Sequence, residues 1–182
     1  MDEVIYGLDF GFHPDPTVLL KVGKRGMDLF IQQLIYDTHL TNSDLIARLK
    51  ELFVPRDAYI YADSAEPDRI EEIYREGFNV FPADKGQGSV QFGIDVCKRF
   101  TLNIMKDGTD TIQDLRNYKY KADKNGKVIS PPVPVHSFSH APDAMRYPVA
   151  THWGKYFQHL TPQDVEDVEV EELETITIFR NY

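Results

Sequence analysis

Three strand-like segments crowd into the first 38 residues, with no helix-length connection between them. "VIYGLDF" (4–10) passes through the turn "HPDP" into "TVLLKVG" (17–23), and Gly23 to Gly26 turns the chain into "MDLFIQQLIYDT" (27–38). Connections this short join antiparallel neighbours. The pattern then changes. "TNSDLIARLKELF" (41–53) spaces Leu45, Ile46, Leu49, Leu52 and Phe53 along one helix face, with N-cap candidates at Thr41 to Ser43 and Pro55 as the stop. A strand "DAYIYAD" (57–63), a helix "EPDRIEEIYREG" (66–77) and a strand "FNVFPA" (78–83) follow, Pro67 and Gly77 marking the ends of that helix. "GSVQFGIDVCKRF" (88–100), with Ser89 as cap, reads as a helix, "LNIM" (102–105) as a short strand, and "DTIQDLRNY" (110–118) as a helix. "YKYKADKNGKVIS" (118–130) alternates around Asn125-Gly126 as a hairpin. "SHAPDAMRY" (139–147) begins a last helix, capped by Ser139 or His140 and kinked or ended by Pro148. This order predicts an α/β fold with a mixed central sheet: three antiparallel strands, then parallel strands, flanked by helices.

A chain of 182 residues has room for one substantial domain, expected over 1–157, with an acidic tail at 158–182 for which disorder is the default reading. The net charge is −9, which argues against a globally basic nucleic-acid binder. The acid is unevenly placed. Residues 161–182 hold seven acids and one base, so the remainder carries 19 bases against 22 acids. Between Arg116 and Lys127 stand five bases and one acid, so a local phosphate-binding surface is compatible with the negative total. No apolar stretch approaches the roughly 20 residues of a membrane helix, and no secretory signal is expected at the N-terminus. The single cysteine, Cys97, sits at helix-like spacing and reads as a buried core thiol, in keeping with a reducing cytoplasm.

The first and fourth predicted strands, "VIYGLDF" and "YIYAD", both end in aspartate. Asp9-Phe10-Gly11 admits three readings: a kinase-type magnesium loop, an ordinary turn after a strand, or the first ligand of a nuclease metal site. If the two strands lie parallel and adjacent, Asp9 and Asp63 share the sheet edge where ligands collect in open α/β folds. Carboxylates so placed repel unless a cation lies between them, and Mg²⁺ or Mn²⁺ suits an all-oxygen set. "HAPDAMRY" supplies a third acid: His140 and Asp143, three residues apart, share a helix face, where Asp143 reaches the metal and His140 orients a water or touches a phosphate. The bland reading of Asp143 is a helix first-turn acid favoured by the dipole.

Together, "YGLDFGF", "YADSAEPDRIEEI", "GSVQFGID", "LRNYKYKADKNGKV" and "HAPDAMRY" resemble, over about residues 3–155, the nuclease domain of the large terminase subunit of tailed bacteriophages. The resemblance implies a ribonuclease H-like fold and endonucleolytic cutting of concatemeric double-stranded viral DNA in the host bacterial cytoplasm. It implies Asp9, Asp63 and Asp143 as metal ligands, with His140 as the accessory catalytic residue. Two ions of Mg²⁺ or Mn²⁺ about 3.5–4 Å apart would serve phosphodiester hydrolysis, one activating water and one stabilising the leaving oxygen. Expected partners are DNA, the N-terminal ATPase domain of the full-length subunit, the portal and the small terminase subunit, with no membrane. "DKGQGS" (84–89) lacks a phosphate-loop ending, so ATP hydrolysis is not expected of this stretch. The chain departs from the family in having Ser139 before the histidine and Pro148 after "DAMRY". The kinase reading fails, because no glycine-rich loop precedes Asp9 and no His-Arg-Asp loop exists.

Around these acids, Lys85 is a candidate for a scissile-strand phosphate, and Arg146 for a phosphate or an active-site carboxylate. Lys119, Lys121, Lys124 and Lys127 are candidates for gripping the DNA backbone, Lys119 and Lys121 sharing one face and Tyr118 and Tyr120 the other. A solvated edge kept soluble by lysine is the bland reading of the same hairpin. Glu66 and Asp15 read first as a helix first-turn acid and a turn residue, with outer-shell roles as the alternative. The competing functions are another nuclease of the same fold, such as a junction resolvase or exonuclease, and a catalytically silent DNA- or portal-docking module.

Overall fold

The computed structural model describes residues 1–129 and 134–157. Six strands form one mixed sheet: β1 (Glu3–Asp9), β2 (Thr17–Arg25), β3 (Asp28–Asp37), β4 (Ile60–Ala62), β5 (Val80–Pro82) and β6 (Thr101–Ile104), in the order β5-β4-β1-β2-β3-β6. β1, β2 and β3 make the expected antiparallel meander, with Gly26 at φ 57° in the second turn. β4 joins β1 in parallel, β5 joins β4 in parallel, and β6 joins β3 in parallel at the far edge. Only β2 therefore runs against the rest.

Strand alternation sorts the side chains onto two faces. Tyr6, Leu8, Leu19 and Ile35 pack with Leu45 and Leu49 of α1 (Asn42–Glu51) and with Ile70 and Ile73 of α2 (Pro67–Arg75). Ile5, Val18, Leu20, Val22 and Ile31 pack on the other face. There they meet Val96 and Cys97 of α3 (Ser89–Cys97), Ile112 of α4 (Thr109–Asn117), and Ala141, Ala144 and Met145 of α5 (His140–Pro148). Cys97 is the core thiol its spacing predicted, and burial pushes its pKa up to about 12.

α5 lies unusually close to β1. A Cβ on Gly7 would collide with the Ala144 carbonyl oxygen and stand 2.7 Å from the Pro148 ring. Pro148 has no N–H to offer that carbonyl four residues back, which leaves the Ala144 oxygen against the bare Gly7 backbone. The helix stops there, as Pro148 predicted, and continues as a π-helical turn, Val149–Trp153. Its far end is tied to the start of β1: Trp153 Nε1 donates to Glu3 Oε2 at 2.7 Å, and His152 Nε2 lies 2.6 Å from Glu3 Oε1.

Several expectations need correction. Leu52 and Phe53 do not extend the buried face of α1; the helix ends at Glu51, and Phe53 turns out at φ 52° with 88% of its surface exposed. The cap position of α3 is Gly88 rather than Ser89. Among the described residues the basic hairpin is not a regular pair of strands. It shows two isolated bridges, Tyr120 with Pro134 and Ala122 with Val128, around a turn in which Asp123 Oδ1 accepts from the Asn125 and Lys127 amides. The Ser139 side chain does not cap α5; its hydroxyl donates to the His136 carbonyl. The acidic tail expected at 158–182 lies outside the described residues.

Candidate metal centre at the sheet edge

The register of β1 and β4 pairs Leu8 with Ala62, and the Asp63 amide donates to the Leu8 carbonyl at 3.0 Å. Asp9 and Asp63 are therefore the next residues along two adjacent parallel strands, which sit about 4.8 Å apart. Leu8 and Ala62 belong to the α1–α2 face, so alternation turns both carboxylates toward α5. α5 then brings His140, Asp143 and Tyr147, at i, i+3 and i+7, along one side of the helix.

Each acid has a distinct set of partners. Asp9, 6% exposed, has Oδ2 at 3.2 Å from His140 Nδ1. Asp63 accepts from the Ala65 amide at 2.7 Å, from the Tyr147 hydroxyl at 3.2 Å, and from the Lys85 ammonium. Asp143 Oδ1 accepts from Arg146 Nε at 3.1 Å and Nη2 at 2.8 Å.

The charges act on one another. Burial pushes the Asp9 carboxyl up to about 6; the His140 hydrogen bond opposes this, and the negative charges of Asp143 and Asp63 add to it. Burial also drives the Tyr147 hydroxyl far above its ordinary range, reinforced by Asp9, Asp143 and Asp63. The charges of all three acids thus act on the Tyr147 hydroxyl, which itself donates to Asp63. Asp63 behaves oppositely to Asp9. Burial would raise it, but Lys85, the Ala65 amide and Tyr147 together bring it below the usual carboxylate range. Burial would lower His140, but Asp9, Asp15 and Asp114 raise it on balance, since Nδ1 faces Asp9 and Nε2 faces Asp15 Oδ1 at 3.4 Å.

Asp9, Asp63, Asp143 and His140 are therefore brought to one edge. The candidate DNA contacts divide. Arg146 is 5% exposed and bound to Asp143, its stem lying where a Cβ on Gly93 would be, so it takes the carboxylate-pairing role rather than a DNA-facing one. Lys85 is bound to Asp63 rather than standing free for a phosphate. Lys119, Lys121, Lys124 and Lys127 are all exposed, on a segment rooted beside the acids. Tyr118 feels the charge of Asp143, and the Tyr120 hydroxyl donates to Gln91 Oε1 at 2.9 Å. Glu66 is the exposed N-cap position of α2.

Three further residues belong to this region, and sequence reasoning does not assign them to it. Tyr147 anchors Asp63, and "HAPDAMRY" carries it four residues after Asp143. Asp114, 3% exposed on α4, accepts from the Ala141 amide and the Tyr36 hydroxyl, both at 3.0 Å, and so caps α5 from another helix. His136, in a single 3-10 turn (His136–Phe138), lies 3.1 Å from Asp15 Oδ2; its i, i+4 spacing to His140 is the available signal.

A family model described as the terminase RNAseH like domain matches residues 9–151. The PBSX phage terminase large subunit of Bacillus subtilis (strain 168) is 32% identical over 126 residues, covering 68% of this chain and 29% of that protein. The terminase large subunit of Bacillus phage SPP1 is 29% identical over 156 residues, covering 80% of this chain and 35% of that protein. The chain thus spans about a third of the length of these relatives. Among solved structures, the nuclease domain of the SPP1 large terminase, crystallised with bound Mn, superposes with a TM-score of 0.69 at 26% identity, over 80% of this chain and 84% of that one. The large terminase nuclease from thermophilic phage G20c shares the fold, with a TM-score of 0.60 at 22% identity over 82% of each chain. Alike in sequence over most of its length and in its mixed sheet, the chain belongs to the ribonuclease H-like nuclease domain family of phage terminase large subunits.

Proposed function

We propose that this domain is a metal-dependent DNA endonuclease that cuts concatemeric double-stranded DNA during viral packaging, with Asp9, Asp63 and Asp143 as its metal ligands. The observation that carries this reading is the β1–β4 register, which sets Asp9 beside Asp63 on the face that α5 closes with Asp143. An all-carboxylate set with one member pushed up to about 6 by burial and by its neighbours' charge fits a hard divalent cation, Mg²⁺ or Mn²⁺. Two such ions would supply an activated water and charge neutralisation at the leaving oxygen. The protein's own groups hold the acids in place: His140 orients Asp9, Tyr147 and Lys85 orient Asp63, and Arg146 orients Asp143. The exposed lysines at 119, 121, 124 and 127 track the DNA backbone without reading its sequence. Residues 1–157 act as the nuclease unit, and the ATPase part of a full-length subunit, the portal and the small subunit are its partners in the host cytoplasm. The test is cleavage of plasmid DNA in Mn²⁺ by Asp63→Asn: cutting is lost while the fold, followed by circular dichroism, is kept. Cleavage at the wild-type rate overturns the ligand assignment.

A further inference from the structure

Beside the three acids lies a group of different chemistry. One ligand atom each from Asp15, His136 and His140 lies within 4.8 Å of the other two. Asp15 Oδ2 is 3.1 Å from His136 Nε2, and Asp15 Oδ1 is 3.4 Å from His140 Nε2. Ligands at about 2.05 Å from a tetrahedral ion stand about 3.3 Å from one another; with the two imidazoles on different oxygens of one carboxylate and one ligand atom of each residue within 4.8 Å of the others, side-chain rotation closes the set on a zinc-sized centre. The rings of His136 and His140 are 5.1 Å apart and inclined at 69°, which lets both Nε2 atoms approach the same carboxylate without stacking.

We propose that Asp15, His136 and His140 form a second divalent-metal site, selective for imidazole-preferring ions of the zinc class and distinct from the all-carboxylate centre. The supports are independent of the nuclease reading. His140 Nδ1 lies 3.2 Å from Asp9 Oδ2 and Nε2 is the nitrogen turned toward Asp15, the carboxylate–histidine–metal arrangement by which such ligands are commonly oriented. Asp15 is held between Pro14 and Pro16, both with restricted backbones. His136 is fixed relative to α5 because the Ser139 hydroxyl and amide both donate to its carbonyl. The group opens onto a cavity of about 670 Å³, lined also by Tyr36 and Ser137, which provides an entry path and room for water as a fourth ligand.

The two sites differ in the ions they prefer. Three carboxylates suit Mg²⁺, whereas two imidazoles and one carboxylate suit Zn²⁺ or Co²⁺. They share His140: an ion on Nε2 prevents rotation of the ring and keeps Nδ1–H on Asp9. Occupancy of the second site therefore positions a ligand of the first.

The experiment uses Co²⁺ as a spectroscopic probe on the full chain, with Mg²⁺ in large excess to fill the carboxylate centre. The expected result is one equivalent of Co²⁺ with visible absorption typical of a low-coordinate nitrogen-containing site, displaced by Zn²⁺. His136→Ala, a change at a largely exposed side chain, should weaken this binding at least tenfold, as should Asp15→Asn. Asp63→Asn should leave it unchanged even though it removes cleavage. The proposal is overturned if Co²⁺ does not bind in excess Mg²⁺, if His136→Ala binds it as tightly as wild type, or if Asp63→Asn abolishes the signal.

Discussion

Asp9→Asn isolates the electrostatic load of the carboxylate centre from its chemistry. The Asp9 pKa is raised from 3.8 to about 6 in the folded protein, by burial first and then by Asp143 and Asp63 against the His140 bond. Between those two values the folded state holds a proton that the unfolded chain releases. Stability of the metal-free protein therefore falls as pH rises through this window, and the full loss is present above about pH 7. At about 1.36 kcal/mol per unit, the gap amounts to about 3 kcal/mol at pH 7, and about half of that at pH 5. Asparagine keeps the shape and can still accept from His140 Nδ1–H, but carries no charge. In EDTA at pH 7, Asp9→Asn should unfold at a urea midpoint higher by about 1.5 M, taking an m-value of about 2 kcal/mol/M. The difference should shrink toward pH 5. Saturating Mn²⁺ should reverse the order, because only wild type gains binding energy from the ion. A variant less stable than wild type in EDTA at pH 7, or a difference independent of pH, would refute the claim that Asp9 is a charge held at a cost for a cation.

Other perturbations test neighbouring parts of the architecture. Replacing Lys119, Lys121, Lys124 and Lys127 by alanine should weaken DNA binding uniformly across sequences, and lower the slope of log K against log salt by about 0.9 for each phosphate no longer neutralised; an unchanged slope in a filter-binding titration removes the loop from the interface. Gly7→Ala drives a methyl group into the Ala144 carbonyl and the Pro148 ring, so thermal melting should report a loss of about 3 kcal/mol or more. Lys85→Met frees the Asp63 carboxylate from its ammonium partner and should tighten Mn²⁺ binding about tenfold in the absence of DNA, measured by calorimetry.

The carboxylate edge was legible because both of its strands announce themselves locally. "VIYGLDF" and "YIYAD" each carry an apolar run that stops at an acid, and a parallel pair with those ends aligned needs nothing else to place Asp9 beside Asp63. Asp143 was reachable through helix spacing. What escaped was nonlocal. β6 lies beyond β3, and no property of "LNIM" says which strand it will join. Asp114 caps α5 across a helix–helix contact, which no pattern in "DTIQDLRNY" encodes. Charge leaves Arg146 open to a phosphate or an active-site carboxylate and points Lys85 to a phosphate, whereas in the fold each pairs with a neighbouring carboxylate, Asp143 and Asp63. His136 follows "SPPVPV", a proline-rich run with no helical pattern against which its i, i+4 spacing to His140 would stand out.

β1 is held to one helical segment at both of its ends. Asp9 meets His140 at one end and Glu3 meets Trp153 at the other, and six strand intervals at about 3.3 Å match thirteen helical steps at about 1.5 Å, each close to 20 Å. The segment works as a splint running the whole length of the strand, with Gly7 letting it lie flush. Asp143 cannot drift from Asp9 without lifting that splint, so the spacing of the acids is a property of the folded frame rather than of a moving loop. On the proposed nuclease function, acids braced in this way leave control of cutting to whatever governs the approach of the duplex.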